Sequence, residues 1–417
     1  MTNGTIAALI RGLCIDATGK PHTVVFDDRD DNIPKNAHCF SCAMKAELPA
    51  DFSPETDSAK TEKSAADIIR ASYKTWKKSN PEQDGKIPVP SCVELTANGR
   101  NLGVCWIGED IDCARKRREE KNGSPLYENA AVNNNLISAE GRSNVVKNKI
   151  ALVTGGAQGI GEEIVRNLTA CGAIVFIADL NIEGAKKLSR EINAIEKRTA
   201  SEAVQVNVSN EESVKAMFET VALTSGGLDL CVSNAGVLKA GSVLEQELSD
   251  FKFVTDINYT GFFIISKFAG HLLRAQNLTA PAWKTDIIQV NSKSGLEGSN
   301  KNGAYAGGKF GGIGLVTSFA MELIEYGIKV NAVCPGNFLD GPLWSDPDKG
   351  LFVQYLKQGK VPGAKSIADV RAFYEAKVPM KRGCTGKDLT RAILYIAEQE
   401  YETGQAVPVT GGQIMLH

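Results

Sequence analysis

From residue 148 onward, short apolar runs alternate with segments of helical period. KIALVTGG is an apolar run closed by glycines, and GIGEEIVRNLTACG after it reads as a helix. AIVFIADL is a second such run, followed by the helical EGAKKLSREINAIEK. EAVQVNV, LDLCVSNAG, TDIIQVNS, GIKVNAVCPG and QAVPVTGG supply further strands, with helical segments between them. Runs that are apolar throughout, instead of alternating with polar residues, are what a parallel sheet covered on both faces requires. The pattern predicts an α/β fold, a doubly wound parallel sheet of Rossmann type.

The first third is patterned differently. LIRGLCIDATGKPHTVVF and CVELTANGRNLGVCWIG read as hairpins with turns at Thr18-Gly19 and Asn98-Gly99. Between them lie an acidic stretch at Asp27–Asp31, the pair Cys39/Cys42, a polar region and a helix near residues 64–78. This predicts a small α+β module over residues 1–113, partly disordered in its middle. Residues 114–147 are charged, rich in Asn and without a sustained apolar period, as a polar linker is. The third unit then spans residues 148–417.

Composition narrows the function classes. A net charge of −2 gives no electrostatic case for nucleic acid or an anionic membrane surface. No apolar run approaches the length that spans a bilayer. Arg11 interrupts TIAALIRGLCI, the one candidate for an N-terminal targeting segment, so a cytoplasmic protein is expected. Six of the ten cysteines precede residue 114: Cys14, Cys39, Cys42, Cys92, Cys105 and Cys113. A cytoplasmic setting argues against disulfides. His38-Cys39-x-x-Cys42 lacks a second closely spaced pair, so no metal is expected.

Chemistry concentrates in two places. Gly155, Gly156, Gly159 and Gly161 lie between the first strand and first helix of the third unit, with Gln158 and Ile160 among them. Glycines there let the backbone turn tightly and approach a pyrophosphate at the helix N-terminus. Asp179, at the end of the next strand, suits the adenosine ribose hydroxyls and repels a 2′-phosphate, which favours NAD over NADP. The second place is NSKSGLEGSNKNGAYAGGKFGG, which sets Ser292 thirteen residues before Tyr305 and Tyr305 four before Lys309. Positions i and i+4 share a helix face, so the Lys309 ammonium is expected to lower the Tyr305 pKa toward working pH and make it a general base. Tyr73 and Lys77 have the same spacing but no serine upstream; they are taken as a chance match.

With these residues in place, the chain resembles the short-chain dehydrogenase/reductase family over residues 148–417. The family's T-G-x-x-x-G-x-G turn matches Thr154 to Gly161, and its N-A-G motif matches Asn234-Ala235-Gly236. Its helix asparagine matches Asn258, its serine Ser292, and its Tyr-x-x-x-Lys pair Tyr305 and Lys309. The P-G turn matches Pro335-Gly336, and the C-terminal glycine pairs match Thr403-Gly404 and Gly411-Gly412.

The resemblance implies hydride transfer between NAD and a secondary alcohol or ketone. It makes Tyr305 the proton acceptor, Ser292 the stabiliser of the reacting oxygen, Lys309 the holder of the nicotinamide ribose and Asn258 the holder of a relay water. It also implies cofactor contacts from Leu180, Asn207, Val208, Asn234, Ala235, Gly236, Pro335 and Gly336. Two positions depart from the pattern: Asn207 stands for the usual Asp before Val208, and Asp340 for the usual Thr after Pro335-Gly336.

The segments QVNSKSG, AGGKFGGIGL, EYGI, PGNFLDGPLW, VPMKRGC and TGQAVPVTGGQ resemble members acting on phosphorylated sugar alcohols, which makes sorbitol 6-phosphate and fructose 6-phosphate the expected pair. The substrate phosphate then needs cations, with Lys293 the first candidate and Lys301, Lys381 and Arg382 behind it. Alternatives are another polyol or ketone as substrate, or an NAD-binding regulator or scaffold. The resemblance further implies a homotetramer packed through the helices around Asn258 and Tyr305.

Overall fold

A computed structural model describes residues 2–27, 44–48, 59–84, 86–97, 100–120, 126–128, 144–348, 350–357, 359 and 361–415. Among the described residues the first third holds six strands: β1 (Thr23–Asp27), β2 (Met44–Leu48), β3 (Ile87–Val89), β4 (Cys92–Ala97), β5 (Arg100–Gly108) and β6 (Leu126–Glu128). Seven follow: β7 (Ile150–Thr154), β8 (Ile174–Asp179), β9 (Ser201–Gln205), β10 (Leu230–Ser233), β11 (Thr285–Val290), β12 (Ile328–Pro335) and β13 (Ala406–Val409).

These last seven are the apolar runs of the sequence, and they form one sheet in the order β13-β12-β11-β10-β7-β8-β9. Every pairing in it is parallel. Both faces are covered. Ile150, Leu152 and Phe176 pack with the helices Glu211–Ser225, Gly261–Thr279 and Gly303–Leu323 on one side. Ala151, Val153 and Val175 pack with Gly159–Ala170, Ile182–Glu196 and Gly386–Glu398 on the other. The strand order reverses between β7 and β10, which opens a crevice beyond their carboxyl ends.

The first third contains a second sheet, β1-β5-β4-β2. The β4–β5 hairpin forms as expected, antiparallel with Cys92 opposite Trp106. The other expected hairpin does not form. Asn3–Thr18 is a helix, capped by the Thr2 hydroxyl at its start and stopped by Gly19 in the left-handed region at φ 69°. The turn signal at Thr18-Gly19 marks a helix end instead of a strand reversal. The helix between β2 and β3 spans Ala59–Ser79, longer than expected. Within residues 114–147, Glu120 ends the helix Ile111–Glu120, and Leu126–Glu128 pairs antiparallel with β3. Cys39 and Cys42 lie outside the described residues; among those residues no cluster of His, Cys, Asp or Glu suits a metal.

The Asn3–Thr18 helix is buried on nearly every side because it has two neighbours. Ile6, Leu9, Ile10 and Leu13 pack into the small sheet's core, while Ala8 packs into the core of the large one. Its closest approach is to the Gly261–Thr279 helix: a Cβ on Gly12 would lie 2.1 Å from the Gln276 carbonyl oxygen, so only glycine fits. Thr279 Oγ1 donates to the Leu9 carbonyl at 2.6 Å. Arg11, fully buried, donates to Asp229 Oδ2 at 2.7 Å, to Gln276 Oε1 at 2.6 Å and to the His22 carbonyl at 2.6 Å. Glu62 adds a fork of bonds from Arg274 at 2.9–3.1 Å. Among the described residues no helix is long and apolar enough to cross a membrane.

Candidate active site

The glycine turn after β7 is built for close backbone approach. Gly155 and Gly159 hold positive φ, at 61° and 60°. A Cβ on Gly161 would lie 2.0 Å from the Gly155 carbonyl oxygen and 2.6 Å from Asn234 Nδ2, so a side chain there would unseat the turn. Gln158 precedes the Gly159–Ala170 helix without capping it through its side chain, so no side-chain cap blocks the first-turn N–H groups around Ile160. This is an anion cradle by construction.

Its walls come from neighbouring strands. After β10, Asn234 Nδ2 donates to the carbonyls of Thr154 at 2.9 Å and Gly155 at 3.1 Å, while Thr154 Oγ1 accepts from the Asn234 and Ala235 amides. The Asn-Ala-Gly segment is thereby stitched to the glycine turn across the β7/β10 switch point. At the end of β8, Asp179 Oδ2 accepts from the Ala157 amide at 3.0 Å and Oδ1 from the Asn181 amide at 2.9 Å. The carboxylate is fixed at the rim of the turn, next to the exposed Leu180. Asn207 spends its side-chain oxygen on Ser209, and Val208 is buried. Pro335 ends β12, and the Gly336 amide donates to Val409 at the end of β13. A glycine cradle, a helix N-terminus and a carboxylate fixed at its rim fit a nicotinamide dinucleotide.

The catalytic candidates converge from three elements. Ser292 follows β11 and caps a short turn over Lys293–Gly295. Tyr305 and Lys309 lie one helical turn apart in Gly303–Leu323. The Ser292 side chain lies close enough to the Tyr305 phenol to favour its ionised form, and Lys309 Nζ stands 5.6 Å from the Tyr305 ring centroid. Asn258 sits in a π-helical turn, Asp256–Thr260, a local irregularity that often accompanies function. Its side chain bonds the Val237 backbone in both directions at 2.8 Å, tying that turn to the segment after Gly236.

One electrostatic expectation is corrected. Burial pushes the Tyr305 phenol up, and the nearby Ser292 hydroxyl only partly opposes it. Burial also pushes Lys309 down to about 8. The Lys309 ammonium faces the Val290 carbonyl, to which it donates at 2.8 Å. The enclosure that unites Tyr305 and Lys309 penalises charge on both, so proximity alone does not produce a low tyrosine pKa here.

The cation candidates separate. Arg382 is held by Asp388 at 2.5 and 2.9 Å, and Lys381 Nζ donates to the Ala376 carbonyl. Lys301 is exposed, in the left-handed region at φ 54°. Lys293 stays beside Ser292, half-buried, and pairs with no carboxylate among the described residues. Asp340 pairs with Arg371 at 2.6 Å on the helix Ile367–Ala376. Tyr73 donates to the Pro88 carbonyl and Lys77 pairs with Glu82, in the small module, as expected of a chance match.

Sequence reasoning passed over three residues at this site. Asn291 looks like an ordinary strand-end turn residue, Val290 contributes only its carbonyl, and Cys334 sits within electrostatic reach of both Tyr305 and Lys309. Only their placement reveals them.

Comparison with known proteins accords with this geometry. Residues 149–346 match the short chain dehydrogenase family. Sorbitol-6-phosphate 2-dehydrogenase of Escherichia coli is 35% identical over 271 residues, 64% of this chain and 99% of that protein. Meso-2,3-butanediol dehydrogenase of Serratia marcescens is 29% identical over 255 residues, 58% of this chain and 96% of that protein. The crystal structure of sorbitol-6-phosphate 2-dehydrogenase from Erwinia amylovora superposes with a TM-score of 0.59 at 36% identity, covering 64% of this chain and all of that one. The family match begins at residue 149, after the N-terminal extension. Its sheet order, its glycine turn and its relatives together place the chain in the short-chain dehydrogenase family.

Proposed function

We propose that this oxidoreductase interconverts a secondary alcohol and a ketone with NAD, and that its substrate is a sugar alcohol phosphate, sorbitol 6-phosphate, with fructose 6-phosphate as the ketone. The observation that carries the proposal is the convergence of Ser292, Tyr305 and Lys309 beside a glycine cradle edged by Asp179. When bound, the nicotinamide accepts or returns the hydride. The chain's own residues handle everything else.

Gly155, Gly159, Gly161 and the helix N-terminus accept the pyrophosphate, and Asp179 takes the ribose hydroxyls. Tyr305 removes the alcohol proton in oxidation and returns one in reduction. Ser292 holds the reacting oxygen against Tyr305 and stabilises its charge. Lys309, fixed beneath them, supplies the compensating cation and a ribose contact. Asn258 keeps its turn in register with the loop after β10, at the start of a proton path outward.

The substrate rests on the named relatives and on Lys293, the cation beside Ser292 that no carboxylate pairs with among the described residues. The likeness to a butanediol dehydrogenase keeps another polyol as the second reading. The exposed Phe251, Phe253, Phe263 and Phe310 lie on the helices around Asn258 and Tyr305 and support self-association there, which we read as the homotetramer that the family resemblance implies. A spectrophotometric assay of NAD and NADP reduction with a panel of polyols and their phosphates tests the proposal. Turnover of sorbitol 6-phosphate with NAD is expected; turnover of unphosphorylated polyols alone would overturn the substrate.

A further inference from the structure

Asn291 follows the last residue of β11, immediately before Ser292, and is 2% exposed. Its carboxamide is fully engaged. Oδ1 accepts from the Ser292 amide at 2.8 Å. Nδ2 donates both hydrogens, to Gln289 Oε1 at 2.7 Å and to the main-chain carbonyl of Lys309 at 2.9 Å. Lys309 returns the contact, its Nζ donating to the Val290 carbonyl at 2.8 Å. Residues 290 and 291 therefore grip both ends of Lys309, main chain and ammonium.

Space around the grip is reserved for it. A Cβ on Gly295 would stand 2.2 Å from Asn291 Oδ1 and 3.0 Å from the Lys309 carbonyl oxygen. Ser292 reaches the Gly303–Leu323 helix along the chain only through residues 293–302, where Glu297, Gly298, Asn300 and Lys301 are exposed. An exposed connection does not fix two side chains to a fraction of an ångström, whereas a buried, fully satisfied network does.

We propose that Asn291 is a positioning residue: by clamping the Ser292 amide and the Lys309 carbonyl, it sets the Ser292 hydroxyl against the Tyr305 phenol. The rate measurement below rests on the dehydrogenase reading; the titration does not. Asn291→Ala is compared with the wild-type chain at a temperature where circular dichroism shows both folded. Its kcat, on whichever alcohol the wild type oxidises, falls about 100-fold, while NADH affinity read by fluorescence stays unchanged. Asn291→Asp is isosteric, and its carboxyl can donate one of the two hydrogen bonds only while protonated. Its rate of ketone reduction relative to wild type is therefore highest at low pH and drops as the carboxyl ionises, a limb absent from wild type and from Asn291→Ala.

Independently of turnover, the Tyr305 phenol is titrated by ultraviolet difference absorbance against Tyr305→Phe. In Asn291→Ala that titration moves further up, because the Ser292 hydroxyl that opposes the rise is no longer held beside the phenol. If the wild type oxidises no alcohol, the functional reading fails and the titration alone judges the clamp. A folded Asn291→Ala with wild-type kcat, or with an unchanged Tyr305 titration, overturns it. If Asn291→Ala does not fold, Asn291→Asp decides, and a rate ratio independent of pH overturns it.

Discussion

Arg11 and Asp229 meet 2.7 Å apart, neither side chain more than 1% exposed, one on the first helix of the chain and the other just before β10 in the dehydrogenase sheet. Asp229 also accepts from Trp283 Nε1 at 2.9 Å and from the Ile150 amide at 2.8 Å. Against the opposing effect of burial, Arg11, Lys149 and the Ile150 amide hold its carboxyl below the usual range. The extension is thus joined to the base of the sheet, at the end opposite the glycine cradle.

Removing Arg11 leaves a buried carboxylate short of its cation. Arg11→Ala should lower stability by about 3–5 kcal/mol in urea denaturation, whereas the paired change Arg11→Met with Asp229→Asn should recover most of it. Deleting residues 1–147 uncovers the same carboxylate and the faces of Glu211–Ser225 and Gly261–Thr279; that fragment should aggregate. A soluble fragment with wild-type stability would disprove the joint.

Tyr305→Phe removes the one group placed to accept the alcohol proton. Turnover should fall about 10²–10⁴-fold with little change in cofactor affinity. Because burial raises the Tyr305 pKa, oxidation should speed up as pH rises and reduction as it falls, measured as opposite slopes of kcat against pH.

Asp179 is bonded to two turn amides, so its carboxylate cannot swing away from an incoming 2′-phosphate. Asp179→Ser should raise the NADP-to-NAD ratio of kcat/KM by at least an order of magnitude, the discrimination a like-charge contact supplies. An unchanged ratio would remove Asp179 from cofactor selection.

His22 is 1% exposed, its Nε2 2.9 Å from Thr18 Oγ1. Burial pushes its pKa down to about 3, with Arg11 and Lys20 adding to the effect. Between about 3 and 6.5 the unfolded chain binds a proton that the folded chain refuses. This contribution to stability is complete above pH 6.5 and is lost as pH falls toward 3, by up to a few kcal/mol. Urea midpoints across that range should show the slope, and His22→Asn should flatten it.

Much of the dehydrogenase was readable from the chain alone. A parallel sheet buried on both faces needs uninterrupted apolar strands, and β7, β8 and β10 stand out in that form, while the edge strand β9, Ser201–Gln205, is polar and only partly buried. The glycine turn, Asp179 and the Ser292, Tyr305 and Lys309 spacing are equally local, because phosphate cradling and helix-face geometry are set within a few residues. The Asn3–Thr18 helix was not readable, since a segment buried on every side has no amphipathic stripe to distinguish strand from helix. Nor was the grip of Asn291 on Lys309, whose partners lie eighteen residues apart on different elements. The Tyr305 pKa depends on how much water the assembled fold excludes, and no spacing encodes that. Sequence determined which groups could do the chemistry; tertiary structure decided how they are held and charged, because burial and long-range hydrogen bonds exist only once the chain has closed around them.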